Sequence, residues 1–114
     1  MIRLIASDLD GTLLNEEGML SEKTAECIRN AQQAGILWVA ATGRSLKTAS
    51  ELMRTAGVSP EYLLLNGAEF RKSDETLIFQ KSIEASCAQE IIPQPHVGCQ
   101  FGVIPRKSAY IVSP

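Results

Sequence analysis

Three short, largely apolar runs, Arg3 to Ser7, Ile36 to Ala41 and Tyr62 to Leu65, are each of strand length and are separated by two stretches of helical spacing. That alternation constrains the fold more than any other feature. Apolar residues in Arg3 to Ser7 are consecutive rather than alternating, as in a strand covered on both faces. Strand, helix, strand, helix, strand, linked by right-handed crossovers, predicts three parallel neighbours: half of a doubly wound α/β, Rossmann-like sheet. Ser21 is placed to cap a first helix whose Thr24, Ile28, Ala31 and Ala34 share a face, and Gly35 supplies the left-handed residue that ends it. The second helix, Ser45 to Ala56, sets Ala49, Leu52, Met53 and Ala56 on one face before Gly57, and Pro60 marks a loop.

The rest of the chain departs from this scheme. Leu13 to Leu20 encloses Asn15-Glu16-Glu17-Gly18 between apolar pairs, which predicts a small hairpin with a solvated acidic turn. Phe70-Arg71-Lys72 and Leu77-Ile78-Phe79 flank Ser73 to Thr76 as a second hairpin. Ser82 to Ile92 reads as a helix capped by Ser82 or its neighbours; Pro93, Pro95 and Gly98 break the chain before two strands, Gln100 to Ile104 and Ala109 to Val112. The expected organisation is a core portion over residues 1–81 and a second module beginning over 82–114.

Composition removes several functional classes. An apolar content of 45% with 21% charge is that of a soluble globular domain. A net charge of -2 with no Lys/Arg cluster argues against nucleic acid as a partner. Asp8 interrupts the opening apolar run too early for a signal peptide or a membrane span, so the expected setting is the cytoplasm. Cys27, Cys87 and Cys99 are odd in number and lack any ligand spacing; reduced, half-buried thiols are expected. His96, between Pro95 and Val97, reads as an ordinary exposed or satisfied histidine.

All three predicted strands end in polar, turn-forming residues: Asp8-Leu9-Asp10-Gly11-Thr12, Thr42-Gly43-Arg44 and Asn66-Gly67. Open α/β sheets bind ligands beyond the carboxyl ends of their strands, so these ends are expected at one rim. Asp8 and Asp10, two apart as the strand finishes, can face one pocket while Gly11 permits a sharp exit. Two such carboxylates repel unless a cation lies between them or one holds a proton, which suits either a divalent metal or acid/base work. Plainer readings stand beside these. Asp8 and Asp10 could end the strand and cap the turn, Thr42-Gly43 could cap the following helix, Arg44 could form a surface ion pair, and Asn66-Gly67 is a common tight-turn pair.

The run Asp8-Leu9-Asp10-Gly11-Thr12-Leu13-Leu14 resembles the D-x-D-G-T-L-L signature of haloacid dehalogenase-like phosphatases. Thr42-Gly43-Arg44 and Asn66-Gly67-Ala68 are similar to the Cof-type branch, whose members carry an α/β cap inserted after the third strand. The resemblance implies a phosphomonoesterase in which Asp8 is the nucleophile and Asp10 the general acid and base. It also implies Mg²⁺ held by the Asp8 carboxylate and the Asp10 backbone carbonyl. Phosphoryl oxygens would be bound by the Thr42 hydroxyl and by backbone N–H groups of Leu9 and Gly43, with Arg44 and Asn66 as further phosphate or substrate contacts.

Members of this family need, in addition, a phosphate-binding Lys and an acidic pair from the second half of the sheet. Lys81, Lys107 and Asp74-Glu75 fall in the hairpin or the second module and are poor substitutes. The 114 residues are therefore expected to be the N-terminal part of such an enzyme, a truncated or natural fragment, and a weak catalyst alone. The expected substrate is a small phosphorylated metabolite such as a sugar phosphate; a phosphosugar mutase and a non-catalytic half-domain are the alternatives. In the family's sheet the first strand is central, so here Arg3 to Ser7 is expected at an edge, where it invites self-association.

Overall fold

The computed structural model describes residues 1–91 together with the backbone of Phe101–Val103 and Tyr110–Val112; Pro93, Pro95, His96, Gly98, Cys99 and Lys107 lie outside the described residues. The chain divides into two compact units, Met1–Ser82 and Ile83–Pro114. In the first, β1 (Leu4–Ser7), α1 (Glu22–Gln33), β2 (Leu37–Ala41), α2 (Leu46–Thr55) and β3 (Glu61–Leu64) follow one another, then β4 (Glu69–Arg71) and β5 (Leu77–Gln80). The strands form one sheet in the order β1-β2-β3-β4-β5. β1, β2 and β3 are parallel, with Leu4 opposite Leu37 and Val39 opposite Glu61, and β4 and β5 add antiparallel. The α/β architecture expected from the alternation is present, and the second hairpin leaves the parallel scheme as expected while extending the same sheet.

The helices form where the sequence places their ends. Ser21 Oγ accepts from the Thr24 N–H at 3.2 Å, and Gly35 takes a φ of 81° just past the end of α1. Ala25 and Ile28 of α1 pack with Ala49, Leu52 and Met53 of α2 against Trp38, Ala40, Tyr62 and Leu64 of the sheet. Both helices thus cover one face. The buried line on α1 runs through Ala25 and Ile28, whereas Thr24 and Ala31 are half-buried and Ala34 is exposed. Cys27 and Cys87 are free and exposed rather than half-buried, Cys27 lying on the solvent side of α1.

Register assigns the opposite face to Leu4 and Ala6 of β1, Leu37, Val39 and Ala41 of β2, Leu63 of β3, Phe70 of β4 and Phe79 of β5. It is apolar except for Glu61, which stands beside Val39 where β3 begins. Leu4 and Phe79 are half open to solvent, at 53% and 49%, and β1 is an edge strand whose residues alternate between exposed and half-buried. The expectation of a strand covered on both faces is therefore not met within the unit Met1–Ser82. The physical reason is that α1 and α2 lie on the same face and β1 has a neighbour on one side only.

Two local expectations also change. Leu13 to Leu20 contains no strands. Instead a tight turn is closed by the Asn15 N–H on the Met19 carbonyl and the Gly18 N–H on the Asn15 carbonyl, both at 2.9 Å, with Asn15 Oδ1 accepting from the Glu17 and Met19 N–H groups as well. In the second unit the helix is α3 (Ala85–Ile91), and Ser82 does not cap it. The Lys81 N–H still donates to the Ala68 carbonyl at 2.8 Å, which keeps the chain extended as it leaves β5. β6 (Phe101–Val103) and β7 (Tyr110–Val112) pair antiparallel.

One polar group is fully inside the sheet. Glu69 on β4 is buried on the helix-covered face, where Arg71 Nε and Gln80 Nε2 donate to its carboxylate. Arg71 reaches on to the Glu75 carbonyl at 2.9 Å, tying the β4–β5 turn.

Candidate active site

β1 leaves the sheet through a tight turn, Leu9–Leu13, closed by the Leu14 N–H on the Leu9 carbonyl at 3.0 Å. Gly11 takes a φ of 76° in this turn, a conformation that a Cβ penalises. Leu9 is fully buried and anchors the turn in the core, leaving the exposed Asp8 and Asp10 on either side of it. Asp8 Oδ2 accepts from the Thr12 hydroxyl at 3.2 Å. Nothing in the sequence reading had assigned Thr12 a partner; its position four residues on, across a turn, is the signal that was there.

The end of β2 is laced to the end of β3. The Thr42 N–H donates to the Leu63 carbonyl at 2.9 Å, the Leu65 N–H to the Arg44 carbonyl and the Asn66 N–H to the Thr42 carbonyl, both at 3.2 Å. Thr42 is 5% exposed, and its Oγ1 accepts from the Arg44 N–H at 3.1 Å. The hydroxyl therefore shapes the loop. It does not cap α2, whose N-cap is Ser45. Leu65 and Asn66 hold left-handed φ values of 51° and 55°, rare for a leucine and strained as a pair. The Asn66 side chain lies against Gly43, where an added Cβ would stand 3.1 Å from Asn66 Oδ1. A Cβ here would be a tight contact, so Asn66 would have to shift by a few tenths of an ångström to admit one.

Arg44 joins the β1 turn to this loop pair. Its Nε donates to Asp10 Oδ2 and its Nη2 to Asp10 Oδ1, each at 2.7 Å. That is a fork-to-fork pair, the stronger kind of charge-assisted contact. The hydrogen bond from Arg44 is the main cause holding the Asp10 carboxyl below its ordinary value, and the same bond raises Arg44. The structure therefore brings Asp10, Thr42, Gly43, Arg44 and Asn66 into one contiguous set at the carboxyl ends of the strands, with Asp8 on the adjoining turn.

The remaining sequence candidates are elsewhere. β5 does return to the same rim, so Lys81 sits beside Ala68, but four strand spacings of about 4.8 Å, roughly 19 Å, separate β5 from β1. A lysine side chain does not span that. Asp74 and Glu75 occupy the β4–β5 turn at the other end of the sheet, where Glu75 pairs with Arg54 at 3.4 Å. A hollow of about 280 Å³ lined by Gln32, Leu37, Trp38, Ser59 and Glu61 among others also lies at that opposite end, where β2 and β3 begin. It is remote from these carboxylates.

The β1 turn offers only oxygen donors, the kind that Mg²⁺ takes. Among the described residues no three His, Cys, Asp or Glu side chains are grouped to hold an ion by themselves, so a cation here would need further donors, water included. Among the same residues no helix is long and apolar enough to cross a membrane.

Comparison with known proteins agrees with this geometry. A family model described as haloacid dehalogenase-like hydrolase matches residues 5–101. The chain is 38% identical over 88 residues to the 5-amino-6-(5-phospho-D-ribitylamino)uracil phosphatase YcsE of Bacillus subtilis, covering 77% of this chain and 35% of that protein. It is 32% identical over 91 residues to the phosphatase YwpJ of the same organism, covering 80% and 32%. A solved haloacid dehalogenase-like hydrolase from B. subtilis superposes with a TM-score of 0.75 at 32% identity, over 79% of this chain and 32% of that one. The chain thus spans about a third of the length of the curated relatives it matches. With the signature turn, the laced loops and these matches taken together, the chain belongs to the haloacid dehalogenase-like hydrolases.

Proposed function

We propose that this domain carries the nucleophile of a phosphomonoesterase acting on a small phosphorylated metabolite. In this reading an Asp8 carboxylate oxygen attacks phosphorus, the bond from phosphorus to the ester oxygen breaks, and Asp10 gives that oxygen a proton. Asp10 then takes a proton from water, whose oxygen attacks the aspartyl phosphate, releasing inorganic phosphate and regenerating Asp8. The Thr42 hydroxyl and the Leu9 and Gly43 N–H groups hold the phosphoryl oxygens. The Asp8 carboxylate and the Asp10 backbone carbonyl would hold Mg²⁺, which offsets the repulsion between an anionic nucleophile and an anionic ester. The observation that carries the reading is the meeting of the Asp8–Asp10 turn with the Thr42–Arg44 loop through the Asp10–Arg44 pair.

The relative YcsE is named for an ester on a ribityl chain, and a phosphorylated polyol or sugar of that size is the substrate class we propose here. Residues 1–81 supply the core portion, and 82–114 are the beginning of an α/β cap. Lys81 is too distant and Asp74-Glu75 lie at the wrong end of the sheet, so the 114 residues alone are expected to turn over poorly. The test compares phosphate release from sugar and polyol phosphates by the 114-residue chain and by a form extended to the full length of its relatives, each with Asp8→Asn alongside. Activity in the extended form that vanishes with Asp8→Asn and in excess chelator is expected. An Asp8→Asn enzyme that keeps most of its activity would overturn the mechanism.

A further inference from the structure

Two arginine donors on two carboxylate oxygens determine more than a charge contact does, because they fix the plane of the acceptor. We propose that Arg44 is a positioning residue for Asp10 rather than a contact of the substrate: it sets the carboxylate on the leaving-group side of the site. The inference rests on the phosphatase reading above. Asp10 needs such a partner, since its side chain is 56% exposed and packing alone does not hold its rotamer. Each carboxylate oxygen has two lone-pair sites, and Arg44 takes one on each, so both oxygens keep a site at which a proton can be held or passed.

Arg44 is itself well held. Its N–H donates to Thr42 Oγ1 at 3.1 Å and its carbonyl accepts from Leu65 at 3.2 Å. Leu65 and Asn66 pay for that grip with left-handed backbone, which persists only where the surroundings over-determine it. The strained turn after β3 thus anchors the loop after β2, and the loop aims Arg44 across to the turn after β1. An exposed ion pair of this kind contributes little to stability. Its proposed importance is orientation, so rate should depend on it far more than folding does.

Leaving-group dependence tests the role in the extended form. An alkyl phosphate needs a proton on its departing oxygen, whereas a p-nitrophenyl phosphate departs as a stable phenolate. Because kcat/KM reports the steps through phosphoryl transfer, it isolates this difference from the later hydrolysis of the aspartyl phosphate. Arg44→Met, and Arg44→Lys, which keeps the charge but not the fork, should lower kcat/KM for the alkyl ester about 10²-fold, the scale of a misplaced catalytic group. The fall on p-nitrophenyl phosphate should be much smaller, and Arg44→Met should add nothing in an Asp10→Asn background. An equal fall on both esters, or a rise in KM alone, would make Arg44 a substrate contact or a brace and overturn the proposal. Absence of turnover of either ester by the unmutated extended form would overturn the phosphatase reading instead. In the 114-residue chain, the Arg44 Nε–H should give a slowly exchanging NMR signal that is lost in Asp10→Asn; fast exchange in the unmutated chain would refute the pairing itself.

Discussion

Thr42 sits where stability and phosphate binding can be separated with three substitutions. Its Oγ1 accepts from the Arg44 N–H at 3.1 Å, and the residue is 5% exposed. Removing the acceptor costs the net hydrogen bond, about 0.5–1.5 kcal/mol, or more when the N–H finds no water; about 1–2 kcal/mol is expected for Thr42→Ala. In a unit the size of Met1–Ser82, each kcal/mol lowers Tm by roughly 4–8 °C. Thr42→Val keeps the volume and should lose as much, which separates the hydrogen bond from packing, while Thr42→Ser should stay close to the parent. The hydroxyl proton is a separate resource. If it donates to a phosphoryl oxygen, Thr42→Val in the extended form should also weaken binding of a phosphoryl mimic such as beryllofluoride by about 1.5–3 kcal/mol, the value of a bond to a charged group. Thermal unfolding and titration calorimetry measure the two effects. A Val variant as stable as the parent would refute the loop-shaping role, and unchanged mimic affinity would refute phosphoryl binding.

Asp10→Asn in the extended form should cut kcat/KM for an alkyl ester by about 10²–10⁴ while leaving the fold intact, and an unaltered rate would remove Asp10 from the chemistry. Arg44 lowers the Asp10 value below that of an unfolded aspartate, about 3.9, so the pair's stabilisation is full at neutral pH and is lost as pH falls below about 4. Urea unfolding should therefore show a difference between parent and Arg44→Met at pH 7 that shrinks at pH 3, and a gap that widens on acidification would contradict the pairing. Glu69→Ala strands the Arg71 guanidinium on a buried face and should cost about 2–3 kcal/mol, read as a lower urea midpoint; Glu69→Gln should cost less. The open β1 edge and its apolar neighbours should make the 114-residue chain associate with increasing concentration in sedimentation, with weak hydrogen-exchange protection of Leu4–Ser7. A well-protected monomer at high concentration would count against that edge being exposed.

What the sequence made legible was whatever local physics decides. The alternation of apolar runs with capped helical segments specified β1 to β3, α1 and α2, because period, cap and C-terminal glycine act within a few residues. The Asp8–Thr12 signature was equally local. Pairings across 20 to 40 positions were not readable in the same way. That Arg44 reaches Asp10 depends on two strand ends lying side by side, and that a Cβ at Gly43 would crowd Asn66 depends on where Asn66 comes to rest. Leu65 is the sharpest case. No propensity predicts a leucine at a φ of 51°, since the N–H bond to the Arg44 carbonyl that holds it there exists only after β2 and β3 have paired.

β1 shows the converse, a strand whose sequence describes an environment that the unit Met1–Ser82 does not supply. Consecutive Leu4, Ile5 and Ala6 match a strand packed on both faces, yet only the face with Ile5 meets the helices. On the other face, Leu4 and Ala6 continue into Leu37, Val39, Ala41, Leu63, Phe70 and Phe79 across all five strands, interrupted only by Glu61 at the start of β3. Chance does not align apolar residues in register over parallel and antiparallel neighbours alike; such a layer is what a sheet presents to a second packed layer. The candidate site is affected by the same fact, because Asp8 and Asp10 hang from the end of an edge strand with a neighbour on one side only. Covering that face and edge should therefore do two things together, protecting the β1 amides from exchange and steadying the turn that carries both carboxylates, and these effects should rise and fall in step whatever supplies the cover.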